Sequence, residues 1–363
     1  MPVWTILKWK RFMPRQKDCF KKILVVRTDR IGDVLLSTPV FKALRDNFPE
    51  GRIAVMVSPH TREVVEGNPY IDEVIIYDKD KQHKGFIGFW KFVYALRKKK
   101  FDLAIVLHTK KRNNLIAFLA GIPRRIGYNE EGKYSFLLTD KIRDTRMLGF
   151  KHEVDYCLDV LRELNLEIKD RGLYMPVKKE MEGWADGFLS ELGVSQTEKL
   201  AAINPGASCP SKRWMPERFV LLINNLVEQH YFKIIIIAGK KDIGLARTIE
   251  NATRYPVINI AGKTTISQLA ALLKRCVILI SNDSGPVHIA SAVGTPVISI
   301  FGRNQAGLSP TRWGPTGQYD KYIHKEVGCK VCLAHRCRIG FDCLRAITVN
   351  DVLAAVEEVL GGR

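Results

Sequence analysis

The sequence predicts an α/β protein built from two doubly wound parallel sheets, and three observations carry that reading. Its 363 residues exceed the roughly 250–300 at which a single core stops growing. Short apolar runs alternate with amphipathic stretches, the βαβ rhythm of a parallel sheet covered on both faces. That rhythm lapses once, over residues 130–176, and then starts again. With 46% hydrophobic residues, each half can bury its own core.

The first series begins at Lys22. "KILVVRT" (22–28), "RIAVMVS" (52–58), "IDEVIIYD" (71–78) and "FDLAIVLH" (101–108) read as strands, rich in the β-branched residues that suit a buried sheet. Helices are expected through "VFKALRDNF", through the basic-ended "FWKFVYALRKKK", and through "NNLIAFLAG", which stops at the C-cap signal Gly121. The mixed, charged stretch that follows holds a helix around "VDYCLDVLREL" and a turn at "YMPV". The second series is "KLAAINPG", "FKIIIIAG", "YPVINIAG", "RCVILISND" and "TPVISIFG", each an apolar strand closed at once by Gly, Asn or Asp. The expected divisions are a basic segment 1–20, a first domain 21–176 and a second domain 177–363, two Rossmann-like halves facing across a cleft.

The formal net charge of +19 points to an anionic partner: nucleic acid, acidic lipid or a phosphorylated substrate. Solubility alone is the plainer explanation. Residues 1–22 carry seven basic groups against one acid, Asp18, interleaved with Trp4, Ile6, Leu7, Trp9 and Phe12. That mixture suits a segment on a membrane surface, or a solvated tail. No run reaches the ~18 apolar residues of a membrane span, and no secretory signal is evident, so a cytoplasmic protein is expected.

Some motifs lead nowhere. "AGKTT" (261–265) resembles the end of a phosphate-binding P-loop, but Val257 stands where that motif needs Gly, and no GxGxxG follows a strand. Others carry chemistry. "NPGASCPSKRWMPERF" (204–219) joins a strand to a helix expected near Pro216. Gly206 allows close backbone approach, Ser208 and Ser211 offer hydroxyls, and Lys212 and Arg213 offer charge, so the loop can cradle a diphosphate or be an ordinary basic loop. In "ISNDSGPVHIASAVG", Asp283 and Ser284 end a strand, Gly285 and Pro286 open a helix, and His288 lies in its first turn as a core group rather than a base. Asp242, just beyond another strand, can accept from ribose hydroxyls or cap a helix. In "VVRTDRIGD", Gly32 is expected to turn the backbone so that Asp33 faces the cleft. Arg27 and Arg30, with Lys110, Lys111 and Arg112, are either ligands for acceptor carboxylates and phosphates or solvated loop charges.

Cys329, Cys332, Cys337 and Cys343 form a C-x2-C-x4-C-x5-C array. In a reducing compartment four such thiols favour a metal, structural Zn²⁺ or an iron–sulfur cluster, over disulfides. Cys19, Cys157, Cys209 and Cys276 are expected to be unpaired.

Four separated stretches, "RTDRIGDVLLSTP", "NPGASCPSKRW", "SNDSGPVHIASAVGTPVISIFG" and "CKVC" with its following cysteines, resemble glycosyltransferase family 9, the ADP-heptose:lipopolysaccharide heptosyltransferases. The resemblance runs from about Lys21 to the C-terminus. It implies the GT-B fold, with the acceptor on the N-terminal half and the nucleotide sugar, ADP-heptose, on the C-terminal half. It implies inverting transfer with no cofactor or metal for catalysis, Zn²⁺ entering only as a structural ion at the cysteines. Asp33 matches the catalytic base, Lys212 the diphosphate-binding lysine, and Asp283, Ser284 and Gly285 the donor loop, with Asp242 near the ribose. The implied partners are a nucleotide-sugar donor, an anionic lipopolysaccharide core acceptor and, by electrostatics, the cytoplasmic face of the inner membrane, with no nucleic acid. Two rival functions are compatible with the same residues. A GT-B sugar-nucleotide epimerase would need more acid/base groups and no lipid acceptor. A nucleic-acid-binding module would use the charge and the cysteines.

Overall fold

The computed structural model describes residues 20–329 and 331–362, so residues 1–19, which make up nearly all of the basic segment expected at a membrane, lie outside the described residues. Among the described residues, twelve strands form two six-stranded sheets. The first holds β1 (Lys22–Val26), β2 (Arg52–Val57), β3 (Glu73–Ile76), β4 (Leu103–Val106), β5 (Arg124–Asn129) and β6 (Asp140–Arg143), in the order β3-β2-β1-β4-β5-β6. The second holds β7 (Leu200–Asn204), β8 (Lys233–Ile236), β9 (Ile258–Asn259), β10 (Ile278–Asn282), β11 (Val297–Ile300) and β12 (Lys321–Ile323), in the order β12-β11-β10-β7-β8-β9. All pairings are parallel. Counted from its own first strand, each sheet has the same order.

The continuous apolar runs are explained by double burial. β1 sits between β2 and β4, with Leu24 opposite Ala54 on one side and Ala104 on the other. Helices of the first half are α1 (Ile31–Leu35), α2 (Thr38–Asn47), α3 (Arg62–Val65), α4 (Gly85–Lys98), α5 (Lys111–Leu119) and α6 (Glu153–Arg162). Those of the second are α7 (Lys179–Glu191), α8 (Pro216–His230), α9 (Ile243–Ala252), α10 (Ile266–Arg275), α11 (Gly285–Val293), α12 (Pro310–Trp313), α13 (Asp342–Ala346) and α14 (Val349–Gly361). α10 and α14 each begin with a capping box, Thr265 with Gln268 and Thr348 with Asp351, which satisfies backbone donors that would otherwise be orphaned. None of the helices among the described residues is long and apolar enough to cross a membrane.

Three strands depart from the sequence reading. β5 goes unassigned just ahead of the stretch expected to be irregular, β6 lies within that stretch, and β12 adds an edge to the second sheet. Their apolar signal is hidden by charge. Arg124 on β5 pairs with Asp140 on β6 at 3.3 Å, so both strands carry ions that neutralise each other across the ladder.

Two consequences position the site. In each sheet the strand order reverses beside the first strand, between β1 and β4 and between β7 and β10, so the loops leaving those four strands open into a crevice at their carboxyl ends. The halves also touch. α1 packs on α11, and a single apolar cluster runs from Ile23 and Leu35 through Val287 and Ile289 to Leu279 and Ala202.

Candidate active site

On the N-terminal side, the loop after β1 delivers Arg27 and Asp29, and the first turn of α1 delivers Asp33. Arg27 is buried, 2% exposed, and its guanidinium organises the loop. Its Nε donates to the Asp33 carbonyl at 3.1 Å and lies 3.2 Å from Asp29 Oδ1. Its Nη1 donates to the Leu107 carbonyl at 3.1 Å, and Nη2 to Asp33 Oδ1 at 3.3 Å and Glu153 Oε1 at 3.1 Å. Arg27 is thus turned inward beneath Asp33, away from the acceptor contact expected of it. The Asp33 carboxylate is partly open to solvent, and burial together with neighbouring Asp29 raises it to about 6 against the opposing pull of Arg27. A carboxyl poised there suits proton abstraction near neutral pH.

Gly32 has a different task from the expected one. It lies within α1 rather than in a turn, and a Cβ on it would stand 2.7 Å from Cδ2 of His288. The missing side chain lets α1 seat against α11. Burial, then His152, lowers His288 to about 4, so it is a neutral packing group.

The loop after β4 adds His108, whose Nδ1 lies 3.1 Å from Thr28 Oγ1 and which burial, Arg27 and Lys110 lower to about 3. Arg30, Lys110 and Lys111 are exposed around this mouth. Arg112 is instead anchored, donating to the His83 carbonyl at 3.0 Å with its guanidinium over the rings of Tyr77 and Phe89.

On the C-terminal side, the loops after β7 and β10 are knitted together. Asn204 Nδ2 donates to Ser281 Oγ at 2.9 Å and Ser284 Oγ at 2.7 Å, while Oδ1 accepts from the Gly206 N–H at 3.3 Å. Asn282 bridges the Pro205 carbonyl and the Trp214 N–H. Across this frame, Asp283 Oδ2 receives Lys212 at 2.9 Å and Arg303 at 2.8 Å. Ser284 takes extended backbone at the N-cap of α11 and gives no side-chain cap; Pro286 has no N–H and that of Val287 donates to the Ser284 carbonyl, so the Gly285 N–H at the helix's positive end is the donor left for an anion. Asp242 faces the Gly206 turn, where a Cβ would stand 2.9 Å from its Oδ2, and pairs with Arg213 at 2.6 Å. Ser208 is exposed on the same loop.

Sequence reasoning missed the residue that joins the two sides. Glu153, at the start of α6, accepts from Arg27 through Oε1 and from Arg312 through Oε2, at 2.9 Å from Nε and 2.7 Å from Nη2. Burial works to raise this carboxyl, but Arg27 and Arg312 outweigh it and hold it below its ordinary value. Arg312 also donates to the Arg146 and Gly307 carbonyls, and His152 Nε2 lies 2.9 Å from the Gly314 carbonyl. Arg303 and His108 were missed as well. Their only sequence signal is a polar residue two or three places after an apolar strand.

The four-cysteine segment touches the donor loop, since His335 Nδ1 lies 2.9 Å from Ser211 Oγ. Cys332 and Cys337 sulfurs accept backbone N–H groups, and Cys343 donates to the Gly302 carbonyl at 2.8 Å. Burial raises the Cys343 thiol, with the other three cysteines adding to the shift. The donor chemistry fits a thiophilic ion. As placed here the thiols do not close a shell, and no three His, Cys, Asp or Glu among the described residues are disposed to hold a metal.

Against known proteins, the model of the family "Glycosyltransferase family 9 (heptosyltransferase)" matches residues 89–341. The chain is 25% identical over 296 residues to lipopolysaccharide heptosyltransferase 2 of Escherichia coli K12, covering 80% of this chain and 85% of that protein. It is 28% identical over 345 residues to lipopolysaccharide heptosyltransferase 3 of the same strain, covering 91% and 95%. The crystal structure of a family 9 glycosyl transferase from Veillonella parvula superposes with a TM-score of 0.86 at 26% identity, covering 94% of this chain and 98% of that one.

Proposed function

The chain belongs to glycosyltransferase family 9, and from that premise we propose that it transfers heptose, with inversion, from ADP-heptose to the acidic core of a lipopolysaccharide. The names of the E. coli relatives support the sugar and the acceptor. The observation that carries the mechanism is the seating of α1 against α11, which brings the Asp33 loop beside the Lys212–Asp283 frame. In the proposed step, Asp33 takes the proton of the acceptor hydroxyl as that oxygen attacks the anomeric carbon. The bond from that carbon to the diphosphate oxygen breaks on the opposite face, and its electron pair leaves with the diphosphate. Lys212, the Gly285 N–H and the positive end of the α11 dipole stabilise the charge that develops there. A proton acceptor and a fixed cation supply both needs of this step, so the reading assigns no catalytic metal, and chelator should leave transfer unchanged. The four thiols are proposed to hold one structural Zn²⁺, and the cytoplasmic membrane surface is proposed as the working place.

The test is Asp33→Asn. A base of this kind contributes about 10²–10⁴-fold in rate. The variant should lose that factor while keeping donor affinity and thermal stability, and the wild-type rate should fall as pH drops through about 6, because protonated Asp33 cannot accept a proton. Proton NMR of the product should give the anomer opposite to that of the donor. Normal turnover by a folded Asn variant would remove Asp33 from the base role.

A further inference from the structure

The two faces of α4 differ sharply. Phe92, Val93 and Leu96 are buried with Leu24, Val26 and Met56 of the sheet. On the other side Phe86, Ile87, Trp90 and Tyr94 are 77, 71, 42 and 61% exposed. At 3.6 residues per turn these four fall within about 100° of arc, a single apolar stripe. Residues 81–100 carry seven Lys or Arg and no Asp or Glu. Lys98 lies over the Tyr94 ring at 4.5 Å, so charge borders the stripe directly.

We propose that this outward face of α4 docks the protein on an anionic lipid bilayer. The charge decides the occupant. A second copy of the chain brings +19, and residues 1–22 bring seven basic groups against one acid, so either would meet like charge on α4. An acidic bilayer offers phosphates to the lysines and an apolar phase to Phe86, Ile87 and Trp90, the pairing an interfacial helix needs. Position agrees. The loop leading into α4 is tied to α5 by the Arg112 to His83 bond, so the stripe stands beside the exposed Lys110 and Lys111 at the acceptor mouth. Only this placement rests on the transferase reading; the docking itself does not.

The experiment is sedimentation of the full chain with phosphatidylcholine vesicles that contain or lack phosphatidylglycerol. Phe86→Ser/Ile87→Ser/Trp90→Ser and Lys91→Glu/Lys98→Glu are compared with wild type. Each should bind the anionic vesicles about tenfold more weakly or worse, as expected when groups near such a surface are removed or reversed. Circular dichroism and melting should not change, because these side chains are exposed. Anionic vesicles should blue-shift the wild-type tryptophan emission, and Trp90→Phe should lose most of that shift. Transfer to a soluble, delipidated acceptor should be equal in all forms. Its absence in every form would count against the transferase reading and leave the vesicle comparison intact. Unchanged vesicle binding by both variants overturns the proposal. So does binding indifferent to phosphatidylglycerol, or a dimer in solution that both variants dissociate.

Discussion

Lys212 meets a carboxylate, Asp283, at 2.9 Å, and Arg303 shares the same oxygen. Truncating Lys212 therefore leaves Asp283 paired, so Lys212→Ala should fold normally. It should bind a nucleoside diphosphate roughly ten- to a hundredfold more weakly, the value of one charge-assisted bond. Titration calorimetry with ADP measures this, and unchanged affinity would place Lys212 outside the donor site. Asp283 was legible because it follows directly on the apolar run of β10, whereas Asp33 and Lys212, well beyond the ends of β1 and β7, were legible through the resemblance of "RTDRIGD" and "NPGASCPSKRW" to the family. Glu153 was not legible. Its partner Arg27 is 126 positions away and Arg312 is 159, and nothing local in "HEVD" marks a buried carboxylate. Gly32 was noticed for the wrong reason, since the constraint on it comes from His288 on the opposite half.

Among elements, buried strands were legible and charged ones were not. β1, β4, β7 and β10 announce themselves through apolar runs, whereas β6 ("DKIR") alternates half-buried and exposed residues and reads as loop until its ladder to β5 is seen. The cysteine segment shows the same limit from the other direction. Its spacing suggested an ion, but only the structure brings its His335 to Ser211, one residue before Lys212. Protein purified without oxygen should contain about one zinc per chain by elemental analysis if the four thiolates close one shell. Cys329→Ser/Cys332→Ser should lose it. A chain without metal whose four thiols resist alkylation would instead indicate disulfides.

At the scale of the whole molecule, a buried carboxylate ties the two halves together beside the packing of α1 on α11. Glu153→Ala should destabilise the protein by about 3–5 kcal/mol, because it leaves the buried Arg312 without its carboxylate and takes one of three from Arg27. The isosteric Glu153→Gln separates support from tuning. Glu153 adds to the upward shift of Asp33, and without its charge Arg27 acts on Asp33 less opposed. Asp33 should then ionise more readily, and the acid limb of the pH–rate profile should move below about 6. An unmoved limb in a folded variant would confine Glu153 to holding the halves together. The same burial has a consequence in the test tube. Mobile ions cannot enter between Glu153 and its arginines, whereas at 0.1 M they screen exposed charges beyond about 10 Å. A salt wash should therefore leave the halves locked while it weakens the hold of the exposed lysines of α4 on phospholipid.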